Sequence, residues 1–367
     1  MKICINYNTS WGVYNFRKEL ISALLSNGHI VVVISPLDNF TEKLLKLGCQ
    51  HYNISFKNDS LGIYNTLKYL FDLRRLLITI KPNFILNFTT RPNIFTPISS
   101  INLGVKSINN IAGLGVGFKN IFIRQILKIL YYFSQRNKNT LHVFFQNDKD
   151  FTYFKKLNLI IEKKSSILPG SGVDLEKFIF KPKKSSEKIN FLFASRLLKS
   201  KGILELVKSL QLLHNENKNI SLTILGEIDS NNKDSISSKD LLKIKNFPFV
   251  KYFGKVDNVR YYLSKCDCFV LPTTYKEGTP RSILEALSVG RPVITTDIAG
   301  CRDTVVDGFN GFLITTNNDE SLINCLRKFI ELKNNEKKNF GLNSRKIAEN
   351  KFDVKIVISK YIDLIGK

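Results

Sequence analysis

The stretch CFVLPTTYKEGTPRSILEAL, residues 268–287, decides how this chain is read. Cys268 to Leu271 form a short apolar run closed by Pro272, the pattern of a buried strand, and Ser282 to Val289 has the apolar spacing of a helix. Glu277-Gly278-Thr279-Pro280 therefore joins the carboxyl end of a strand to the start of a helix. In an open α/β sheet ligands sit at that junction, because helix-start amides and the helix dipole face the crevice and favour anions. Glu277 and Glu285, separated by seven residues, put two carboxylates beside this position. A carboxylate accepts hydrogen bonds from sugar or ribose hydroxyls and repels phosphate, so amides and carboxylates would divide a nucleotide-sugar between them. The spacing alone is a weak signal, since Glu at such intervals also marks solvated helix faces.

The same strand-to-helix alternation runs outward in both directions. Downstream of the polar stretch 181–188, strands are expected at Ile189–Ala194, Ser221–Leu225, Val250–Phe253 and Pro292–Thr295, with a helix at Gly202–Asn215 and a surface loop at Asp229–Lys239. In the first half, strands are expected at Lys2–Tyr7, Ile30–Ser35, Phe84–Phe88 and Leu141–Gln146, with helices at Tyr14–Ser26 and Thr41–Leu47. Repeated βα units call for doubly wound parallel sheets, so the chain reads as α/β with two Rossmann-like domains. The boundaries expected are 1–172 and 173–350, with Pro169 to Asp174 as a Gly-rich hinge. Residues 351–367 form an amphipathic segment able to cross back to the first domain.

With 367 residues, 43% hydrophobic and 23% charged, the chain is globular and long enough for two cores. Its six cysteines are scattered, with neither a disulfide framework nor zinc spacing, and no apolar run is long enough for a signal peptide or a membrane span. A reducing, cytoplasmic setting follows as the expectation. The net charge is +24, denser at the front: residues 1–172 hold 22 Lys and Arg against 8 Asp and Glu, the remainder 33 against 23. Such a field draws polyanions, either nucleic acid or an anionic membrane surface. Phe118 to Phe133 and Leu61 to Ile80 mix aromatic and aliphatic residues with Lys119, Arg124, Lys128, Lys68, Arg74 and Arg75. Their apolar residues suit packing on a sheet, and their exposed rims suit a lipid headgroup layer.

A second constellation lies upstream in FASRLLKSKG, residues 193–202, again a strand followed by a loop and a helix start. Arg196 and Lys201 would project from the same crevice lip as Glu277 and Glu285, a guanidinium fork and an ammonium suited to a diphosphate. With both pieces together the chain resembles the retaining glycosyltransferases of family 4, which have the GT-B fold of two Rossmann-like domains facing across a cleft. It is most similar to the branch that builds bacterial O-antigen, capsule and lipid-linked oligosaccharides, and within it to polyprenyl-diphosphate-glycan α-N-acetylgalactosaminyltransferases. The resemblance spans nearly the whole chain, through Ser10–Arg17, Thr90–Ile94, Ile111–Gly115, Phe145–Asn147, Gly170–Asp174, Arg196–Gly202, Glu277–Glu285 and Gly300–Asp303.

The resemblance implies roles position by position. Arg196 and Lys201 would hold the donor diphosphate, Glu285 the ribose, and Glu277 with the backbone of Gly278, Thr279 and Pro280 the transferred sugar. Gly254 to Val256 would seat the base. In the first domain the Ser10, Trp11 and Gly12 loop, followed by Arg17, would face donor phosphate and acceptor; Ser10-Trp11-Gly12 stands where many members carry a Gly-Gly loop, so Trp11 would instead stack on a sugar. The donor implied is a UDP-sugar with N-acetylgalactosamine foremost, the acceptor an undecaprenyl-diphosphate-linked glycan. The location implied is the inner face of the plasma membrane, held peripherally, with no cofactor.

Asp148-Lys149-Asp150 imitates a D-x-D metal motif but begins a helix, where Asp is a favoured cap, so no metal site is expected. His142, in LHVFF, reads as a core histidine. An oxidoreductase needs G-x-G-x-x-G after the first strand, and Asn6 to Phe16 holds only Gly12. A sugar-nucleotide 2-epimerase shares the fold and the carboxylates and stays open. A basic nucleic-acid-binding protein lacks any recognition motif, so no nucleic-acid partner is expected.

Overall fold

The computed structural model describes residues 1–54, 63–114, 116–118, 120–183, 187–216, 218–230, 232–275 and 278–366. Leu61, Gly115, Lys119 and Glu277 lie outside them. The chain divides into two compact units, Met1–Ser171 with Lys355–Lys367, and Gly172–Val354.

The first unit runs β1 (Lys2–Asn6), α1 (Ser10–Ser26), β2 (Ile30–Ser35), α2 (Thr41–Lys46), β3 (Gln50–Asn53), α3 (Ile63–Ile80) and β4 (Phe84–Phe88). It continues through α4 (Thr90–Ser99), β5 (Lys106–Ile111), α5 (Ile121–Gln135), β6 (Thr140–Phe145), α6 (Asp148–Lys156) and β7 (Ser165–Ile167). The strands form one parallel seven-stranded sheet ordered β3-β2-β1-β4-β5-β6-β7. In the middle of such a sheet both faces are covered, so β2 is a continuous aliphatic run whose Val31 to Ile34 are wholly buried.

Strand β5 was not anticipated, because KSINNI breaks the apolar pattern. Its asparagines are buried and bonded. Asn6, Asn87 and Asn109 stand in register on three neighbouring strands; Asn87 Nδ2 donates to Asn109 Oδ1 at 2.8 Å, and Asn109 Nδ2 donates to Gln135 Oε1 at 2.7 Å. On the other face Asn110 Nδ2 donates to Tyr361 Oη at 2.8 Å. Tyr361 belongs to the C-terminal helix Val354–Ile365, whose Val357, Tyr361 and Ile365 are buried in the core of this first unit. A buried amide is stable only when its donors and acceptors are met, so side chains from distant parts of the chain had to converge before these asparagines could sit inside.

The second unit runs β8 (Ile189–Ala194), α7 (Ile203–Asn215), β9 (Ile220–Leu225), α8 (Ser238–Lys245), β10 (Val250–Tyr252), α9 (Val259–Lys265) and β11 (Cys268–Leu271). Then come α10 (Arg281–Ser288), β12 (Val293–Thr296), β13 (Gly311–Ile314), α11 (Asp319–Glu331) and α12 (Asn334–Ile347). Its six parallel strands are ordered β10-β9-β8-β11-β12-β13. Helix α7 buries Ile203, Leu206, Val207, Leu210 and Leu213, the three-and-four spacing of a face laid on the sheet.

Two expectations are corrected here. Ser10 to Gly12 is no loop: α1 starts at Ser10, capped by Thr9, whose Oγ1 accepts from Gly12 N at 3.0 Å. Residues 229–239 are not a detached surface loop either. Ser235 bridges antiparallel to Leu198, Ile236 is buried, and Ser237 caps α8.

Candidate active site

Strand order in the second unit places the crevice. From β8 the chain steps outward to β9 and β10, then returns to the other side of β8 for β11, β12 and β13. Connections leaving β8 and β11 therefore diverge, and a gap opens at the carboxyl ends of these neighbouring strands, the topological switch point. Register confirms that both strands end on the same edge, with Cys268 opposite Phe191 and Phe269 opposite Leu192. The two loops issuing there are 195–202, with Arg196 and Lys201, and 272–280.

The loops touch. Thr274 N donates to Ser200 O at 2.8 Å, Thr273 Oγ1 donates to the same carbonyl at 3.1 Å, and a Cβ on Gly202 would lie 2.2 Å from Pro272 O. Gly202 also has φ +77°, so only glycine turns the chain into α7 at this distance. Lys201, 6% exposed, sets its ammonium 5.3 Å from the ring centre of Tyr275. That contact is a cation–π pair in a dry position, and Tyr275 was not among the residues anticipated. Arg196 reaches outward from the same loop, exposed, with Nη1 donating to Asp229 Oδ2 at 3.1 Å.

Backbone hydrogen bonds hold the β8 loop from within. Leu197 N donates to Glu227 O, Leu198 N to Arg196 O, Lys199 N to Asp234 O, Lys201 N to Leu198 O and Gly202 N to Lys199 O, all within 3.0 Å. The amides of the β8 loop are thus engaged inside the protein. The side chains of Arg196 and Lys201 are the cationic groups at this lip.

On the β11 side Gly278, Thr279 and Pro280 are buried. Ile283 N and Leu284 N donate to Pro280 O, which leaves the amides before them without intrahelical acceptors. Glu285 sits on the second turn of α10, where its Oε1 accepts from Arg281 Nε at 3.2 Å. Arg281, also missed from sequence, orients this carboxylate. Gly254 follows β10 with φ +69°, its carbonyl accepting from Gly226 N at 2.7 Å, and Val256 is partly buried against the core. Gly226 is the tightest backbone approach at this edge: a Cβ there would lie 1.8 Å from Ser195 O.

The residues assigned in the first unit stand differently from expectation. Ser10 is wholly buried, its Oγ bonded to Ser35 Oγ at 2.8 Å, Thr41 Oγ1 at 3.1 Å and Pro36 O at 3.0 Å, with His51 Nε2 at 3.3 Å. Arg17 is 4% exposed and lies 4.0 Å over the Phe88 ring. Both side chains are thus buried within this unit. Gly12 is small because Tyr7 needs the space, a Cβ falling 2.3 Å from Tyr7 Cε1, and its N–H is already taken by Thr9. Trp11 is 41% exposed, and its ring makes a perpendicular pair with Phe16, centres 5.4 Å apart.

The remaining reactive groups are structural. Burial pushes the Cys266 thiol up to about 12 and raises Cys268 well above its ordinary value, so the C-x-C pair holds its protons. Asp150 is tied to Asn147 in the cap of α6, accepting from Asn147 Nδ2 at 2.9 Å, and His142 Nε2 lies 2.8 Å from Ser166 Oγ. Among the described residues no group of three or more His, Cys, Asp or Glu could hold a metal ion.

Residues 174–347 match the family of glycosyl transferases group 1. Over 100% of this chain and 99% of the relative, the sequence is 28% identical to the N,N'-diacetylbacillosaminyl-diphospho-undecaprenol alpha-1,3-N-acetylgalactosaminyltransferase of Campylobacter jejuni. It is also 28% identical, over 73% of this chain and 71% of the relative, to the UDP-Gal:alpha-D-GlcNAc-diphosphoundecaprenol alpha-1,3-galactosyltransferase of Escherichia coli. The fold is shared with Anabaena HepE, crystallised with UDP and glucose, at a TM-score of 0.80 and 17% identity, covering 100% of this chain and 99% of that one. Residues 174–347 are thus a glycosyl transferases group 1 domain, and the chain is a glycosyltransferase with the GT-B fold.

Proposed function

We propose that this enzyme is a retaining family 4 glycosyltransferase that moves a hexose or N-acetylhexosamine, N-acetylgalactosamine foremost, from a UDP-sugar to an undecaprenyl-diphosphate-linked glycan in O-antigen or related polysaccharide assembly. The observation that carries this reading is the meeting of the Arg196–Lys201 loop with the β11 loop at the switch point. The end-to-end similarity to an undecaprenyl-linked N-acetylgalactosaminyltransferase supports the choice of sugar and acceptor.

Cleaving the bond from the anomeric carbon to phosphate leaves an oxocarbenium-like sugar and a departing UDP, so stabilising the diphosphate is the main electrostatic task. Arg196 and Lys201 supply two positive charges there. Glu285, oriented by Arg281, accepts from the ribose hydroxyls, while Glu277 with Gly278, Thr279 and Pro280 holds the sugar, and Gly254 and Val256 border the base. The acceptor oxygen bonds to the anomeric carbon on the face the diphosphate leaves, and the acceptor proton passes to a departing phosphate oxygen. No cofactor takes part. Residues 1–172 would serve the acceptor, with Trp11 as a stacking surface, and residues 173–350 the donor.

The acceptor lies in a membrane, and two helices of the first unit suit a peripheral position on the anionic inner face of the plasma membrane. Helix α5 carries an inward apolar stripe with Leu127, Leu130 and Tyr131 against the core, and a second, exposed stripe of Phe122, Ile126, Ile129 and Phe133. On α3, Tyr64, Leu67, Phe71 and Ile78 are likewise exposed, beside Lys68 and Arg75. No helix among the described residues is long and apolar enough to cross a membrane. The deciding experiment incubates purified protein with a lipid-linked acceptor and a panel of UDP-sugars and measures UDP release. Turnover without acceptor, converting the sugar itself, would favour a 2-epimerase, and no reaction with any UDP-sugar would refute the proposal.

A further inference from the structure

We infer that the segment after β9, residues 226–236, is a brace that sets the pose of the diphosphate-gripping loop, and that Asp234 is its positioning residue. This deepens the proposed function, since it rests on Arg196 and Lys201 holding the leaving diphosphate. Among the described residues of the segment, contacts to the β8 loop recur along its length. Glu227 O accepts from Leu197 N at 3.0 Å, Asp229 pairs with Arg196, Ile236 N donates to Leu197 O at 3.0 Å, and Ser235 forms an antiparallel bridge with Leu198. Asp234 does most. Its carbonyl accepts from Lys199 N at 2.7 Å, and its Oδ2 accepts both the Ser200 hydroxyl and Ser200 N, the latter at 3.3 Å.

Ser200 lies between two supports. Its N–H and hydroxyl are held by Asp234, and its carbonyl accepts from Thr273 and Thr274 of the β11 loop. Lys201 is the next residue, so whatever fixes Ser200 fixes where the ammonium stands against Tyr275. The segment is itself rigidly tied. Asp234 N donates to Asn232 Oδ1 at 3.0 Å, Asn232 N to Asp229 O at 2.8 Å, and Asp229 N to Ser235 Oγ at 2.9 Å. A loop whose amides are engaged and whose cations must meet a diphosphate gains affinity by being ordered beforehand, and a charge-assisted hydrogen bond is the strongest local means of ordering it. Asp229 acts on the same loop from its other end. Its contact with Arg196 is exposed, so it orients the guanidinium and leaves the remaining N–H groups for phosphate.

The test measures UDP affinity by calorimetry on the full chain, with donor and acceptor KM, for Asp234→Ala, Ser200→Ala, the double variant and Asp240→Ala. Asp240 caps α8 on the same insertion, bonded to Ser237. Losing a hydrogen bond to a charged group corresponds to about tenfold to hundredfold in affinity. The expected result is that loss in UDP affinity and a matching rise in donor KM for Asp234→Ala and for Ser200→Ala, no further loss in the double variant, and an unchanged acceptor KM. Amides 199–201 should exchange faster with deuterium in both single variants, while Asp240→Ala keeps wild-type UDP affinity. Wild-type UDP affinity in Asp234→Ala overturns the inference, as does an equal loss in Asp240→Ala. If Asp234→Ala does not fold, Ser200→Ala tests the same contact from its other side. A wild-type protein that binds no UDP takes down the proposed function and this inference together, whereas normal wild-type binding with an insensitive Asp234→Ala removes the brace alone.

Discussion

Replacing Phe122 and Phe133 by Glu tests whether α5 meets lipid, and the structure supplies the magnitude. Phe122 is 82% exposed and Phe133 63% exposed, so neither ring contributes much to the core. Moving a fully exposed Phe out of water is worth about 1.5–3 kcal/mol, so inserting these two partly exposed rings accounts for about 3 kcal/mol, on the order of a hundredfold in partition. Each Glu also opposes anionic lipid near Arg124 and Lys128, an effect of about 1 kcal/mol per charge that salt screens. The assay is co-sedimentation with vesicles of phosphatidylglycerol and phosphatidylethanolamine, against phosphatidylcholine alone, at low and high salt. The double variant should lose at least a hundredfold in binding to anionic vesicles and keep its melting temperature, because exposed positions rarely shift stability by more than about 0.5 kcal/mol. Unchanged vesicle binding refutes the membrane role of this stripe. A collapse in melting temperature would show instead that the rings are structural.

Three further outcomes are expected. Lys201→Ala and Glu277→Ala should each lower UDP-release turnover by about a hundredfold to a thousandfold, the size of losing one group that meets developing charge, with circular dichroism unchanged; near wild-type rates in both would remove the proposed site. Gly226→Ala should cost more than about 3 kcal/mol in thermal denaturation, since its Cβ meets Ser195 O at 1.8 Å with φ +132°, whereas Gly308→Ala, with φ +72° and nothing within 4 Å, should cost only about 1–2 kcal/mol; equal losses would contradict the steric argument. Burial beside Ser10 and Ser35 lowers His51 from its ordinary value of 6.5, with Asp38 opposing, so the folded protein resists its protonation. Its contribution to stability is therefore complete above pH 6.5 and lost as pH falls through the lowered value; His51→Gln should flatten that acid-side decline in melting temperature, and an unaltered decline would exclude His51 as its source.

Much of the fold was open to reading from local pattern. Ile30–Ser35, Phe84–Phe88, Ile189–Ala194 and Cys268–Leu271 were delimited to the residue, because strands covered on both faces appear as short aliphatic runs bounded by turn residues. The carboxyl-end position of Arg196 and Lys201 followed from the same pattern, since a strand and its following helix fix the loop between them. Where polarity entered the interior, pattern failed. β5 was hidden by Asn109 and Asn110, whose partners Asn87, Gln135 and Tyr361 come from other elements, and Ser10 looked like a loop residue because its bonds to Ser35, Thr41 and His51 are distant in sequence.

The amino-acid order by itself determined the α/β class, the two alternating halves, and which cations and carboxylates stand near the ends of which strands, because hydrophobic burial is written residue by residue. Only the tertiary structure decided which of those groups are available. Hydrogen bonds are short and directional, so whether an amide at 197–202 or a hydroxyl at Ser10 remains for a ligand depends on what lies within about 3 Å of it. In the β8 loop Glu227 takes amide 197 and Asp234 takes amides 199 and 200, both from the segment after β9.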